Sequence, residues 1–317
     1  MPRKGISIII PNWNGKPLLE RNLPILFDAL SPYQGETEVI VVDDGSIDGS
    51  VEFLTSSYPH AKVLSSSKNE GFAIACNKGI RSSKYEIVYL LNNDIVVSKN
   101  FLEPLWPYFE YDNVFAVSSI SYPPDTDFSK VSQISTVQVQ FKYGIFWYNY
   151  KAIVDTRRPI SVFFSSGGHS AYDKKKFLEL GGFDDLYHPF YWEDADISYR
   201  AWKRGWRSLY EPESVVIHNH QTTIGANFKK DFIQNIHWRN RFLFTWKNLD
   251  DKILWFQHLF LLPLELALMP LIGRAYFSRG FFVALKKLPY VIKSRKTRGK
   301  SALNDKEILD IFKNGDK

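Results

Sequence analysis

Short, strongly apolar runs alternate with segments of helical spacing through the first 120 residues. ISIII (Ile6–Ile10) is apolar at nearly every position, the pattern of a strand buried on both faces. Leu18, Leu19, Leu23, Leu26, Phe27 and Leu30 then recur at three- and four-residue intervals, which predicts a helix over Lys16–Leu30. EVIVV (Glu38–Val42), AKVLS (Ala61–Ser65), EIVYLL (Glu86–Leu91) and VFAVSS (Val114–Ser119) read as further strands. Helices are expected from a cap at Asp48 through about Ser56, over Phe72–Arg81, and over Phe101–Phe109. Strictly alternating β and α units predict an α/β fold with a mostly parallel, doubly wound sheet flanked by helices.

The rhythm breaks over residues 120–160, which are rich in Ser, Pro, Tyr and Val and read as an irregular or β-rich insertion. SVFFSSGGHSAYD follows as a strand and a Gly-Gly turn, then a short helix over Lys174–Leu180. FYWEDADISYRAWKRGW (Phe190–Trp206) sets Glu193, Asp194 and Asp196 after a run of aromatics and ahead of a helical pattern. Two more strands are expected at Ser208–Tyr210 and Val215–Ile217.

Polar clusters sit directly after three strands: Pro11-Asn12-Trp13-Asn14, Asp43-Asp44-Gly45-Ser46 and Asn92-Asn93-Asp94. Ligands of open α/β sheets collect at the carboxyl ends of strands, so the three clusters point to one shared site. Each has a plain alternative. Asp44 and Ser46 are equally suited to satisfying loose backbone donors in a βα turn, and Asp94 to an Asx-turn. Asp94 is also placed to hold Mg²⁺ or Mn²⁺ against a diphosphate, since hard cations combine a few carboxylates with substrate phosphates. A phosphatase-type acidic turn is excluded by Val42, and a calcium loop counted from Asp44 by Thr55 at its twelfth position. Neither a P-loop nor a dinucleotide fingerprint is present.

His218 and His220 follow the last strand without further Cys or His at zinc spacing, and one of them could join Asp94 on a metal. Acids in the first turn of a helix complement its dipole, which accounts for Glu193 and Asp196. Tyr191 and Trp192 would partly desolvate a neighbouring carboxylate and strengthen it as a base.

In this order the motifs resemble the family 2 inverting glycosyltransferases of GT-A (Rossmann-like) fold, and among them rhamnosyltransferase-like enzymes of cell-surface polysaccharide synthesis. The resemblance spans roughly residues 5–245. It implies that Pro11, Asn12, Asn69, Gly71, Phe72, Asn77 and Asn93 contact or flank the donor nucleotide, with Asp43 on its base or ribose and Asp44 in support. It implies that Asp94 and His218 bind a divalent metal, Mg²⁺ or Mn²⁺, on the diphosphate. Gly167, Gly168, Tyr191, Trp192 and Glu193 would shape the acceptor pocket, and Asp194 would be the general base. The sequence carries Asn92-Asn93-Asp94 where Asp-x-Asp is the commoner metal motif, so one carboxylate leans more on the donor phosphates. The implied substrates are a dTDP-, UDP- or GDP-sugar and a glycan or lipid-linked acceptor. A non-catalytic nucleotide-sugar-binding or scaffold protein of the same fold is the alternative, and the Glu193-Asp194 pair argues against it.

Charge divides the chain at about residue 228. Residues 1–228 hold 22 Lys/Arg and 26 Asp/Glu, whereas 229–300 hold 15 and 4. The basic stretch also contains the longest apolar run, Ile253–Ile272, interrupted by Gln257, His258, Pro263, Glu265 and Pro270. That run is just long enough to span a bilayer. Its polar interruptions and interleaved basic and aromatic neighbours favour helices lying in the membrane interface over a span or a soluble helical unit. The same interleaving argues against nucleic acid as the partner. Two regions are therefore expected: 1–228 as the GT-A domain and 229–317 as a basic, apolar, helical region that associates with the membrane. The apolar residues before Pro11 are too few for a signal peptide, and the lone Cys76 forms no internal disulfide. Both fit a cytoplasmic protein held peripherally on the inner face of the cell membrane.

Overall fold

The computed structural model describes residues 5–124, 126, 134–153, 159–218, 228–296 and 298–314. Among these, nine strands form one sheet: β1 (Ile6–Asn12), β2 (Thr37–Asp43), β3 (Lys62–Ser65), β4 (Ile87–Leu91), β5 (Ile95–Val97), β6 (Val114–Tyr122), β9 (Ile160–Ser161), β10 (His169–Asp173) and β11 (Arg207–His218). A separate hairpin joins β7 (Ile134–Lys142) to β8 (Ile145–Ile153).

The sheet order is β3-β2-β1-β4-β10-β6-β11-β5, with β9 also paired to β11. The first four strands are mutually parallel, as the alternating βα pattern requires. Beyond β4 the sheet is mixed: β10 runs antiparallel to both β4 and β6, while β6 and β11 are parallel. The two strands expected at 208–210 and 215–217 are one strand, β11, with register shifts between Arg207 and Ser208 and between Glu211 and Val215. The helix expected at Phe101–Phe109 is a 3-10 helix over Glu103–Glu110, with Pro107 inside it. Proline lacks the N–H an α-helical ladder requires there.

Period-two alternation explains the continuous apolar strands. Ile6, Ile8 and Ile10 face a core shared with α1 (Lys16–Leu30) and α2 (Ser50–Ser57), whereas Ile9 faces the opposite core, under α3 (Phe72–Ser82) and α4 (Lys174–Glu179). Val39 and Val41 divide from Ile40 and Val42 in the same way.

A third core lies beside the sheet. It joins the β7–β8 hairpin to α5 (Glu193–Lys203), α6 (Lys230–Asn248), α7 (Lys252–Leu271), α8 (Ala275–Leu285), α9 (Leu288–Lys296) and α10 (Asp305–Asn314). Helix α5 is wedged between two cores. Ile197 and Ala201 pack under the sheet, and Ala195, Tyr199 and Trp202 pack on the helical side. Among the described residues, the region read as a tail consists of five helices joined by short connections, and its parts differ. Helix α6 is mostly buried, whereas α7 turns Ile253, Phe256, Leu259, Phe260, Leu264, Leu268 and Leu271 outward.

Candidate active site

A cleft of about 500 Å³ opens at the carboxyl ends of β1, β2 and β4. Pro11, Asn12, Trp13, Asp44, Asn69, Gly71 and Phe72 line one side. Asn92, Asn93, Asp94, His218, Gly167 and Gly168 form its floor, and Pro189, Phe190, Tyr191, Glu193, Asp194, Phe228 and Ile233 complete the wall. The three polar strand ends thus meet, as their positions predict.

Hydrogen bonds tie the strand ends into one unit. Asn93 Nδ2 donates to Asn12 Oδ1 (2.7 Å), and Asn12 Nδ2 donates to Asp43 Oδ2 (3.0 Å). The other Asp43 oxygen accepts the Ser46 N–H (2.9 Å). Asp43 is buried behind the wall, and Asp44 is the carboxylate that borders the cleft. Asp44 accepts the backbone N–H groups of Glu70 (3.0 Å) and Gly71 (2.7 Å), which docks the start of α3 onto the β2 end. Gly71 has φ +97° and a built Cβ would sit 2.5 Å from His188 Nδ1, so only glycine fits. A Cβ on Gly168 would meet Asn92 Nδ2 at 2.6 Å.

Asp94, at the end of β4, is nearly buried, and its Oδ1 lies 3.5 Å from His218 Nε2 at the end of β11. Their approach follows from the antiparallel pairing of β5 with β11, in which Ile95 is opposite His218. A carboxylate and an imidazole at this spacing suit Mn²⁺ or Mg²⁺ only where substrate phosphates complete the shell. No cluster of three or more His, Cys, Asp or Glu suited to a metal occurs among the described residues. His220 lies outside the described residues.

Three expected site residues do not border the cleft: Asp43, expected on the base or ribose, is turned into the loop behind Asp44, and Asn77 and Trp192 face elsewhere. Asn77 does not border the cleft: its Nδ2 donates to Phe183 O (2.8 Å) and its Oδ1 accepts the Phe183 N–H (2.9 Å). Phe72 and Ala75 lie three apart on the cleft face of α3, and Asn77, two residues on, is rotated about 200° from Ala75. Trp192 is 2% exposed and packs against Tyr148, His237 and Phe244 in the helical core. Tyr191 and Trp192 both have positive φ, +73° and +79°, so the chain reverses between them and only Tyr191 reaches the cleft.

Asp194 is partly exposed, at the cleft end of α5. Burial pushes its pKa up to about 6, against the opposing effect of backbone N–H groups of Ala195 and Gly167. The Ala195 N–H reaches its Oδ1 at 2.8 Å. Glu193 is more deeply buried, and burial together with the Asp194 charge raises it well above the usual carboxylate range. Of the pair, Asp194 is therefore the carboxylate that ionises more readily. Asp196 differs from both. Burial opposes its charge, but Arg200 and Lys247 outweigh it and hold Asp196 well below the ordinary value. It accepts bonds from Arg200 Nε, Lys247 Nζ and Asn248 Nδ2, each 2.8 Å, and from Tyr187 OH (2.9 Å), so it joins α5 to α6.

Residues that the strand-end pattern did not reveal complete the aromatic wall. Phe190 packs edge-on against Phe228, which stacks on Phe232 at 5.4 Å. Arg239 and Asn240 of α6 hold the loop before α5 from behind, through bonds to the carbonyls of Tyr187 and its neighbours. The signal available was Arg239, Asn240 and Arg241 standing between Trp238 and Phe242.

The family model for glycosyl transferase family 2 matches residues 7–181, and the chain belongs to this family. The match ends before α5, so Asp194 lies outside it. The chain is 24% identical over 251 residues to an N-acetylglucosaminyl-diphospho-decaprenol L-rhamnosyltransferase of Mycobacterium tuberculosis, covering 70% of this chain and 78% of that protein. It is 24% identical over 235 residues to the O-antigen chain rhamnosyltransferase WbaN of Salmonella anatum, covering 72% and 70%. Among solved structures, a mannosyltransferase of Pyrobaculum calidifontis in complex with GDP-Man and Mn²⁺ superposes with a TM-score of 0.55 at 20% identity, over 91% of this chain and 82% of that one. GalNAc-T7 with UDP, GalNAc and Mn²⁺ superposes with a TM-score of 0.60 at 18% identity, over 78% of this chain and 48% of that one. The fold is GT-A, and the protein is a glycosyltransferase.

Proposed function

We propose that the protein is an inverting transferase that moves a sugar, rhamnose as the first candidate, from a nucleoside diphosphate to a hydroxyl of a glycan or lipid-linked acceptor. The observation that carries this reading is a single cleft bordered by Asp94 and His218 on its floor and by Asp194 on its wall. Asp94 and His218 would hold Mg²⁺ or Mn²⁺, which supplies charge to stabilise a leaving diphosphate.

Pro11, Asn12, Asp44, Asn69, Gly71, Phe72 and Asn93 border the donor side, and Asp43 fixes the loop that presents Asp44. Gly167, Gly168, Tyr191, Phe190 and Glu193 frame the acceptor side. Asp194 takes the proton from the acceptor hydroxyl as its oxygen bonds to the anomeric carbon. The bond from that carbon to the diphosphate breaks on the opposite face, and its electron pair leaves with the nucleoside diphosphate. Configuration therefore inverts. A pKa near 6 keeps the base ionised at neutral pH yet more basic than a solvated carboxylate.

The same reading places the protein peripherally on the inner face of the cell membrane. Besides the outward residues of α7, Phe282 and Val283 of α8 and Tyr290 and Ile292 of α9 are exposed apolar side chains. Exposed Arg274, Arg279, Lys286, Lys293 and Lys296 accompany them, complementary to anionic headgroups. Helix α7 is long and apolar enough to cross a bilayer, but its neighbours carry basic residues suited to the interface.

The test is a panel of nucleotide sugars, dTDP-rhamnose included, with Mn²⁺. Thermal-shift binding followed by release of nucleoside diphosphate in the presence of N-acetylglucosaminyl-diphospho-polyprenol supports the reading. Stabilisation by no member of the panel contradicts it.

A further inference from the structure

The geometry points to Asn240, in the buried middle of α6, as the residue that positions the carboxylate end of α5. Asn240 is fully buried. Its Nδ2 lies within hydrogen-bond distance of three carbonyl oxygens of one loop, Tyr187 (2.9 Å), Phe190 (2.9 Å) and Tyr191 (2.8 Å), and its two N–H groups are shared among them. Its Oδ1 accepts from Arg239 Nε (2.8 Å), which fixes the amide with its N–H groups toward the loop. Arg239 Nη2 reaches the same loop at Tyr187 O (3.3 Å) and at His188 O.

The clamped loop needs such a restraint. Tyr191 and Trp192 hold positive φ in succession, a left-handed conformation that bulky L-residues adopt only where their surroundings impose it. The reversal sends Trp192 into the helical core, leaves Tyr191 in the cleft, and starts α5 at Glu193 and Asp194. The carbonyls of Phe190 and Tyr191, at the reversal, turn toward the Asn240 amide and depend on its N–H groups, whereas Tyr187 O also has Arg239 Nη2. Asn240 thus acts through the backbone on where Asp194 stands. Asn240 itself does not line the cleft and is a positioning residue. The reading of Asp194 as the base underlies its functional weight; the clamp on the loop stands independently of that role.

The experiment uses the full chain with Asn240→Asp, which keeps the shape and removes the donors, and Asn240→Ser, which keeps one donor. Hydrogen exchange is followed in peptides spanning 186–195 and, as references, 6–12 and 242–248. The expected result is faster exchange over 186–195 by about tenfold or more in Asn240→Asp, a smaller change in Asn240→Ser, and reference peptides as in wild type. Binding of UDP with Mn²⁺ or of dTDP-rhamnose, whichever wild type binds, should stay within about threefold. Transfer from that donor should lose at least about 100-fold in kcat with donor KM unmoved, since misplacement by an ångström costs that much. Unchanged exchange over 186–195 overturns the clamp, as does acceleration spread equally over all peptides in both variants. Asp194→Asn, run in parallel, separates the two claims. If that variant still transfers, the base assignment fails while the exchange data continue to decide the clamp.

Discussion

His218 Nε2 lies 3.5 Å from Asp94 Oδ1, although 124 positions separate the two residues in the chain. The antiparallel pair β5–β11 makes the contact, and it places an imidazole and a carboxylate on the cleft floor. With two protein groups, the cation must depend on donor phosphates for the rest of its shell. Mn²⁺ binding followed by electron paramagnetic resonance should therefore be weak for the protein alone and strengthen when the donor nucleotide is added. Asp94→Asn and His218→Ala should each weaken that nucleotide-dependent binding by about tenfold or more. Equal Mn²⁺ affinity with and without nucleotide would show that a complete metal site exists elsewhere.

The pKa of about 6 at Asp194 sets the pH dependence. A base must be ionised, so kcat/KM should rise with pH through a midpoint near 6 and level off above about 7. Burial and the Asp194 charge both favour the neutral form of Glu193, so Glu193→Gln should leave the midpoint nearly in place. A midpoint that moves below about 5 in Glu193→Gln would show that Glu193 is ionised beside Asp194.

Stability should move the opposite way. The unfolded chain releases the Asp194 proton near pH 3.9, whereas the folded protein holds it to about 6. Between those values the folded state binds more protons, so the stability present below about 3.9 is lost as pH rises through 6. Asparagine carries no such penalty. Asp194→Asn should raise Tm by a few degrees at pH 7.5, corresponding to about 1–3 kcal/mol, and by less at pH 5. A lower Tm for this variant at pH 7.5 would mean that the ionised carboxylate is stabilised by its surroundings.

Helix α7 exposes Phe256 and Phe260, stacked at 6.0 Å, on the apolar face. Full-length protein should float with vesicles rich in phosphatidylglycerol at about 50 mM salt, where charge attraction is weakly screened. Phe256→Glu with Phe260→Glu should leave it in the soluble fraction with donor binding unchanged. Flotation of the double variant at wild-type levels would move the membrane contact off this face.

Much of this arrangement was readable in the sequence because two strong periodicities carry it. Strands buried on both faces read as continuous apolar runs, so β1, β2, β4 and β6 were legible from Ile6–Ile10 onward, and with them the parallel half-sheet that β1, β2 and β4 form with β3. The polar clusters that end β1, β2 and β4 announced the cleft. The insertion of β10 between β4 and β6 was not readable, since strand order is decided by tertiary packing. Asn77 and Trp192 were misplaced for local reasons: one by helical rotation, the other by left-handed backbone that nothing in Tyr-Trp foretells. Asn240 stayed hidden because its work is done on backbone carbonyls, which a sequence does not display.

The central claim is that Asp194 removes the acceptor proton. Its most direct test compares wild type and Asp194→Asn in transfer from the donor that wild type uses, with donor affinity measured on the same preparations. The predicted result is a loss of about 10³-fold or more in kcat, with donor Kd within about threefold. Turnover by Asp194→Asn within about tenfold of wild type would contradict the account.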